Sequence, residues 1–438
     1  MSALPPGPRS KLLASLAVIR EPLGTLTDAL ARYGDPFTIP LMHGHLVLTA
    51  DPERIRELFS NSDVELFDTF GVTTLVPLFG RHSVLLMAGE PHRRERKLLM
   101  PPFHGERMRA YGNTIAAAAR EAFTALAPGE AFTGVELGQR ISLEVIVRAV
   151  YGVEERERVR QHTSALTAML GAALPIFMAS EALQKAPFGL GPWARFLERS
   201  AEVDRLLYEQ IERVRPSAGE RDDILSMMIS ARYEDGSAMR KEDIRDELRT
   251  LLIAGHETTA TTFACALEEI YRNDHVRERL LAELDGAPES PEELAKLPYL
   301  SAVVDETLRL HPVVEMVLRR LRRPWRFAGY DLPEGVSVGV ALSQVHQRED
   351  LYPDPRRFEP QRMIDRKPGP FEFVPFGGGN RRCIGAALSQ YELRVALAVL
   401  LREWTLALRE KEPVPIVRRG VALGPKTGVR LQMIGRRD

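Results

Sequence analysis

The stretch F-G-G-G-N-R-R-C-I-G, running from Phe376 to Gly385, decides how the rest of this chain is read. It holds Cys383, one of two cysteines in 438 residues. Three glycines and an asparagine lead into two arginines and the cysteine. An amphipathic run, A-A-L-S-Q-Y-E-L-R-V-A-L-A-V-L-L-R-E-W, follows at once with apolar positions at helical spacing. The pattern is a glycine-permitted loop that delivers a sulfur to a helix N-terminus. Such a terminus carries unpaired N–H groups and partial positive charge, which favours thiolate over thiol. Arg381 and Arg382 push the same way, or bind an anionic group on whatever the sulfur holds.

Three further stretches carry chemistry. A-G-H-E-T-T, Ala254 to Thr259, sits inside a long helical pattern that starts at Lys241 and runs to about Arg272. At 1.5 Å per residue that helix spans roughly 48 Å, enough to cross a domain. Gly255 is costly in mid-helix, by about 1 kcal/mol against Ala. Thr258 is placed to bond back to the carbonyl of Ala254. A rule broken in a core-crossing helix points to a site: Gly255 lets a planar or small ligand reach the backbone, and Glu257 with Thr258 can relay protons to it. E-T-L-R, Glu306 to Arg309, sets an acid and a base three apart on one helix face. H-R-R-E-R-K, His92 to Lys97, sets His92 and Arg96 four apart, spaced to clamp a carboxylate or propionate.

The remaining chain reads as a mainly α protein with small β-sheets, a single domain over residues 1–438. After a proline-rich lead-in, a helix ends at Gly34, F-T-I-P-L and H-L-V-L-T-A form strands, and a helix restarts at Asp51. Asp68 to Met87 suits a long loop over a pocket, residues 90–285 are nearly unbroken helix, and Leu170 to Gly191 suits a mobile lid or access channel. In W-R-F-A-G-Y-D-L-P-E-G-V-S-V-G-V a D-L-P-E-G turn joins two strands, and V-A-L-G-P-K-T-G-V-R-L-Q-M holds another pair. Hydrophobic residues at 44%, charged residues at 27% and a net charge of −1 exclude a general electrostatic case for nucleic acid. Two cysteines exclude a disulfide scaffold, and Cys265 lies in an apolar helical run. The apolar N-terminal stretch is too short and interrupted to span a bilayer and lacks a signal-peptide cleavage site, so the sequence reads as cytoplasmic and soluble.

With these four stretches in order, the chain resembles the cytochrome P-450 family of haem-thiolate monooxygenases over essentially its whole length. Phe376–Gly385 matches the family's F-x-x-G-x-R-x-C-x-G signature at every fixed position, and A-G-H-E-T-T and E-T-L-R match its oxygen-activation and helix motifs. Y-P-D-P-R-R-F-E-P-Q-R-M places Arg362 as the third member of a structural triad with Glu306 and Arg309, with Gln361 where an acid is common. The resemblance implies a helix-rich triangular prism with haem b between the long helix and the cysteine loop. It implies Cys383 as the iron ligand and Phe376 beside the sulfur. Ala254 and Gly255 lie against the cofactor, and His92, Arg96, Arg319 and Arg381 bind its propionates, Arg320 being the neighbour to which that third assignment can slip. Glu257 and Thr258 become the acid–alcohol pair that relays protons during oxygen activation. Phe70, Leu252, Val314, Met316 and Val421 become substrate contacts, all apolar, with Glu315 turned away by alternation.

The reaction implied is insertion of one oxygen atom of O2 into a hydrophobic small molecule such as a fatty acid, terpenoid or steroid. With no fused flavin or iron–sulfur region, electrons come to a monomer from a separate ferredoxin and ferredoxin reductase, NAD(P)H entering only indirectly. Arg93, Arg94, Lys97 and Arg382 would form a basic patch for that donor. A peroxide-driven haem-thiolate hydroxylase and a non-catalytic haem sensor are the alternatives, and the retained Glu257–Thr258 pair argues against both.

Overall fold

The computed structural model describes residues 4–437 apart from residues 70–71, 104–106, 175–176, 178–182 and 420–421. Helices of seven residues or more are α1 Lys11–Arg20, α2 Pro22–Tyr33, α3 Pro52–Phe59, α4 Val72–Phe79, α5 Gly89–Leu99, α6 Arg107–Thr124, α7 Gly134–Val145, α8 Arg156–Ala172, α9 Pro192–Val214, α10 Ile224–Ser230, α11 Lys241–Arg272, α12 Asp274–Asp285, α13 Pro298–Leu310 and α14 Ala386–Glu403. Strands are β1 Phe37–Leu41, β2 Gly44–Thr49, β3 Phe67–Asp68, β4 Ala131–Thr133, β5 Met316–Leu321, β6 Trp325–Phe327, β7 Tyr330–Leu332, β8 Ser337–Ala341, β9 Trp404–Leu408, β10 Ile416–Arg419, β11 Ala422–Pro425 and β12 Arg430–Arg436.

Local chemistry sets the early boundaries. Ser10 caps α1 by accepting from the Leu13 N–H, and Gly34 ends α2 at φ 79°. The Asp51 carboxylate accepts from the Glu53 and Arg54 N–H groups at 3.0 and 3.1 Å, starting α3 where the sequence places it.

The five-stranded sheet has the order β1-β2-β8-β5-β3, with β2 and β8 parallel and the other pairs antiparallel. Alternation gives it two apolar faces. Val47, Val338 and Val340 pack with α3, whereas Leu46, Leu48 and Ala341 pack with α1 and α2. The larger core lies among the helices, and α11 is threaded through it. A Cβ on Gly138 would stand 2.8 Å from the Ala260 Cα, so α7 lies against α11 at a distance only glycine permits.

The structure differs from the sequence reading in three places. Residues 68–87 are not all loop, because α4 forms within them; the Arg249 guanidinium of α11 donates to the Pro77 and Leu78 carbonyls at 2.9 and 3.0 Å and satisfies the helix end. The D-L-P-E-G turn does join two strands, but they do not pair: β7 forms a hairpin with β6, and β8 enters the large sheet. The terminal strands β11 and β12 are likewise not partners, since β11 pairs with β10 and β12 with β4 and β9. Leu431 and Met433 of β12 face the helical core, and that burial selects the partners. Of the Leu170–Gly191 segment, Phe177 is buried, meeting Trp193 of α9 edge to face and lying tilted against Phe196.

Candidate active site

The cysteine loop is shaped by close approach. Gly379 has φ 64°, and a Cβ there would stand 2.3 Å from the Phe59 carbonyl oxygen; a Cβ on Gly378 would strike the Phe59 ring at 2.1 Å. The Cys383 N–H donates to the Phe376 carbonyl at 3.0 Å, folding the loop back on Phe376. Cys383 stands one turn before α14, and the N–H groups of Gly385 and Ala386 point at its sulfur. Those groups and the guanidiniums of Arg96 and Arg382 lower its pKa, as a helix N-terminus should. Burial opposes them and prevails, so the thiol is raised above its ordinary value. A coordinating metal would remove that proton outright, giving the thiolate that the sequence leads one to expect. Cys383 is nonetheless exposed, which means that the sulfur opens into a cleft walled by protein.

Around that cleft, four basic side chains converge from two elements and the loop. His92 and Arg96 come from α5, Arg319 from β5, and Arg381 from the loop. His92 is pushed down to about 3, first by burial and then by Arg381, Arg96 and Arg319. Burial also pushes Arg319 and Arg381 down to about 10. Arg319 donates to the Leu58 and Gly378 carbonyls at 3.1 and 2.8 Å, and Arg381 to Leu85 at 3.4 Å and to Met87. Asp68 acts on Arg381 by charge, but among the described residues no carboxylate forms an ion pair with Arg96, Arg319 or Arg381. Strand alternation separates the Arg319–Arg320 pair: Arg319 is buried with this cluster and Arg320 is exposed.

The other wall is the middle of α11. Thr258 donates to the Ala254 carbonyl at 2.7 Å, as its helical position dictates. The Thr259 and Ser389 hydroxyls meet at 3.0 Å and tie α11 to α14 just beyond the cysteine. Ala254 is exposed despite sitting mid-helix in the interior of the fold, and Gly255, Glu257 and Thr258 are half-buried. A Cβ on Gly255 would meet only the Ile146 side chain, at 3.7 Å. Burial raises the Glu257 carboxyl, with Arg419 opposing it, and pushes His256 down to about 4.

The proposed apolar contacts divide. Leu252 is fully buried in the main core. Two residues from Ala254 is about 200° round a helix, so Leu252 faces away from the open side. A half-buried apolar residue on Ala254's own face is Leu251, which i, i+3 spacing would have found. Val314 is 38% exposed and Met316 half-buried at the start of β5. Glu315 between them is buried and paired with Arg418. The Leu423 N–H donates to the Val313 carbonyl at 2.7 Å, bringing the β10–β11 pair beside this segment. Phe70 and Val421 lie outside the described residues.

Glu306, Arg309 and Arg362 form one buried network. The Arg309 guanidinium donates twice to Glu306, at 2.7 and 2.8 Å, and to the His346 and Pro355 carbonyls; Arg362 donates to Glu306 at 3.0 Å. The expected basic patch is largely neutralised: Arg93 pairs with Glu90, Arg94 with Asp235 and Lys97 with Glu234. Arg382 is exposed and has no ion pair among the described residues.

The family model for Cytochrome P450 matches residues 5–431. The chain belongs to the cytochrome P450 family. It is 36% identical over 441 residues to "Putative cytochrome P450 138" of Mycobacterium tuberculosis, covering 98% of this chain and 96% of that one. It is 35% identical to "Putative cytochrome P450 135B1" of the same species, covering 99% and 92%. The fold matches a retinoic acid-bound cyanobacterial CYP120A1 with TM-score 0.85 at 22% identity over 99% of both chains. It also matches a cytochrome P450DA haem domain with TM-score 0.86 at 21% identity, over 100% of this chain and 98% of that one. This P450 is accordingly a haem-thiolate monooxygenase whose cofactor is haem b, using O2 and electrons relayed from NAD(P)H by redox partners. The residues present fit that cofactor: an accessible cysteine at a helix N-terminus, an open stretch of central helix, and buried cations without a paired carboxylate. Among the described residues no helix is long and apolar enough to cross a membrane.

Proposed function

We propose that this P450 hydroxylates a hydrophobic small molecule of the fatty acid, terpenoid or steroid kind, with electrons from a ferredoxin and its reductase. The observation that carries the site assignment is the convergence of His92, Arg96, Arg319 and Arg381 beside Cys383. Arg96, Arg319 and Arg381 are cations that repel one another and favour a ligand with an apolar body and anionic arms, which is what a porphyrin with two propionates offers, and the neutral His92 can donate a hydrogen bond to it. Haem held by the Cys383 thiolate supplies the oxygen activation, the sulfur's electron donation favouring O–O cleavage.

The chain's own residues then have separate tasks. The Gly385 and Ala386 N–H groups hold the sulfur, and Phe376 closes the loop beside it. Ala254 and Gly255 keep the helix backbone low. Thr258 donates its proton to Ala254, so its hydroxyl oxygen is left to accept. Glu257, raised by burial, exchanges protons nearer neutral pH than an ordinary carboxylate and hands them toward Thr258. Leu251, Val314 and Met316 supply apolar lining, and Phe70 and Val421 complete it on the resemblance alone. Arg382 is the exposed cation that remains for a ferredoxin.

The test is a carbon monoxide difference spectrum of the reduced holoprotein, followed by turnover with a surrogate ferredoxin, its reductase and NAD(P)H on a panel of apolar compounds. A thiolate-type band that vanishes in Cys383→Ser, together with an oxygenated product, is the expected result. Absence of the band removes the ligand assignment. Product with peroxide alone and none with O2 transfers the reading to a peroxide-driven hydroxylase.

A further inference from the structure

Helix α1 is apolar on both sides. Ala14 and Val18 are buried against the sheet, whereas Leu12, Leu13, Leu16 and Ile19 are 59%, 67%, 41% and 63% exposed. At about 100° per residue, Leu12, Leu16 and Ile19 form one stripe with Leu13 beside it, opposite the buried pair. Met42, 59% exposed, extends the patch: its N–H is held by the Ser15 hydroxyl of α1 at 3.1 Å. Five of the fourteen exposed large apolar side chains among the described residues are therefore gathered on one corner of the molecule. Contiguous apolar surface of this kind marks an interaction face rather than ordinary scatter.

Charge says what covers it. The helix K-L-L-A-S-L-A-V-I-R has no acidic residue, and Arg9, Lys11 and Arg20 at its two ends are exposed with no ion pair among the described residues. Glu21, the nearest carboxylate in sequence, lies beyond the helix. A second copy docked on the same face would set cation against cation. An anionic lipid surface accepts both features, taking the leucine stripe among its acyl chains and the three cations among its headgroups.

We propose that α1, with Met42, is a docking surface for an anionic lipid bilayer, on which the protein lies without spanning it. A protein held there meets apolar compounds at the concentration they reach in lipid. The inference stands apart from the choice of substrate.

The experiment is co-sedimentation of the full-length holoprotein with phosphatidylcholine vesicles, with or without phosphatidylglycerol, at low and high salt. Binding to the phosphatidylglycerol vesicles, weakened by salt, is expected. Leu16→Asp/Ile19→Asp is expected to weaken it at least about tenfold, with circular dichroism and the carbon monoxide spectrum unchanged. Lys11→Glu/Arg20→Glu, which leaves the stripe intact, is expected to abolish the phosphatidylglycerol preference. Wild-type protein remaining in solution at low salt overturns the proposal. So does equal binding by both variants, or a dimer lost in the first variant with no vesicle binding by either protein.

Discussion

Glu392 on α14 offers a measurement that separates burial from every other effect in this fold. Its carboxyl is fully enclosed beside Gly138, Ile141, Thr259 and Phe263, and it accepts from the Ser142 hydroxyl of α7. Burial pushes it from 4.5 up to about 7. An acid whose folded pKa lies above its unfolded one binds more protons when folded. Its stabilising contribution is fully present below about 4.5 and is lost as the pH rises through about 7. At 1.36 kcal/mol per pH unit, the interval from 4.5 to about 7 corresponds to about 3 kcal/mol. Glu392→Gln keeps the shape and the oxygen that accepts from Ser142 but has no proton to lose. The variant and the wild type should match within about 1 kcal/mol at acid pH, and the variant should be the more stable at alkaline pH by about 3 kcal/mol. Urea denaturation of the holoprotein across neutral pH measures the difference. A difference that stays flat as the pH rises through neutrality refutes the reasoning, because a carboxyl that costs nothing to ionise is not desolvated.

Three other outcomes follow from the contacts. Arg309→Met removes two of the donors to the buried Glu306 carboxylate, leaving Arg362 as its one charged partner, strands two carbonyls, and is expected to lower stability by about 3–5 kcal/mol in a denaturation experiment; an unchanged midpoint would mean that the network is solvated. Thr258→Ala removes the hydroxyl of the relay, so NAD(P)H oxidation should continue while peroxide release rises at the expense of product; equal coupling in the two proteins removes Thr258 from that role. Arg382→Glu should slow reduction by an acidic ferredoxin and flatten its salt dependence, whereas Arg93→Glu, already balanced by Glu90, should change the rate less than about twofold; equal effects would contradict the pairing.

These tests fall where local sequence signals and tertiary structure part company. The bounds of α11, the Asp51 and Gly34 caps and the Thr258 back-bond depend on residues within four positions of one another, and all were legible in the sequence. The loop around Cys383 was legible from its glycines, although the close approach that Gly378 and Gly379 permit is to Phe59, about 320 residues earlier. The features that sequence misplaced are decided by partners far along the chain. Arg249 stabilises α4 from more than 170 residues away, and Glu234 and Asp235 neutralise Lys97 and Arg94 from about 140 away. Strand pairing fails for the same reason: β11 and β12 look like a hairpin because they are adjacent, and burial of Leu431 and Met433 sends them to different sheets.

Cys383 shows the limit in a single atom. Its neighbours in sequence all lower its pKa, yet its surroundings raise it, because desolvation is a property of the packed fold and not of the motif. The same packing that raises the free thiol also gathers His92, Arg96, Arg319 and Arg381 beside it. Neither arrangement is favourable by itself, and one anionic, metal-bearing ligand relieves both at once. Haem incorporation should therefore stabilise this fold by more than its buried apolar area alone predicts, and Asp68→Asn, which removes the carboxylate acting on Arg381, should increase that gain. Paired denaturation of apo- and holoprotein for wild type and Asp68→Asn measures it; a gain that is smaller in the variant would show that the cluster does not act on the cofactor's charge.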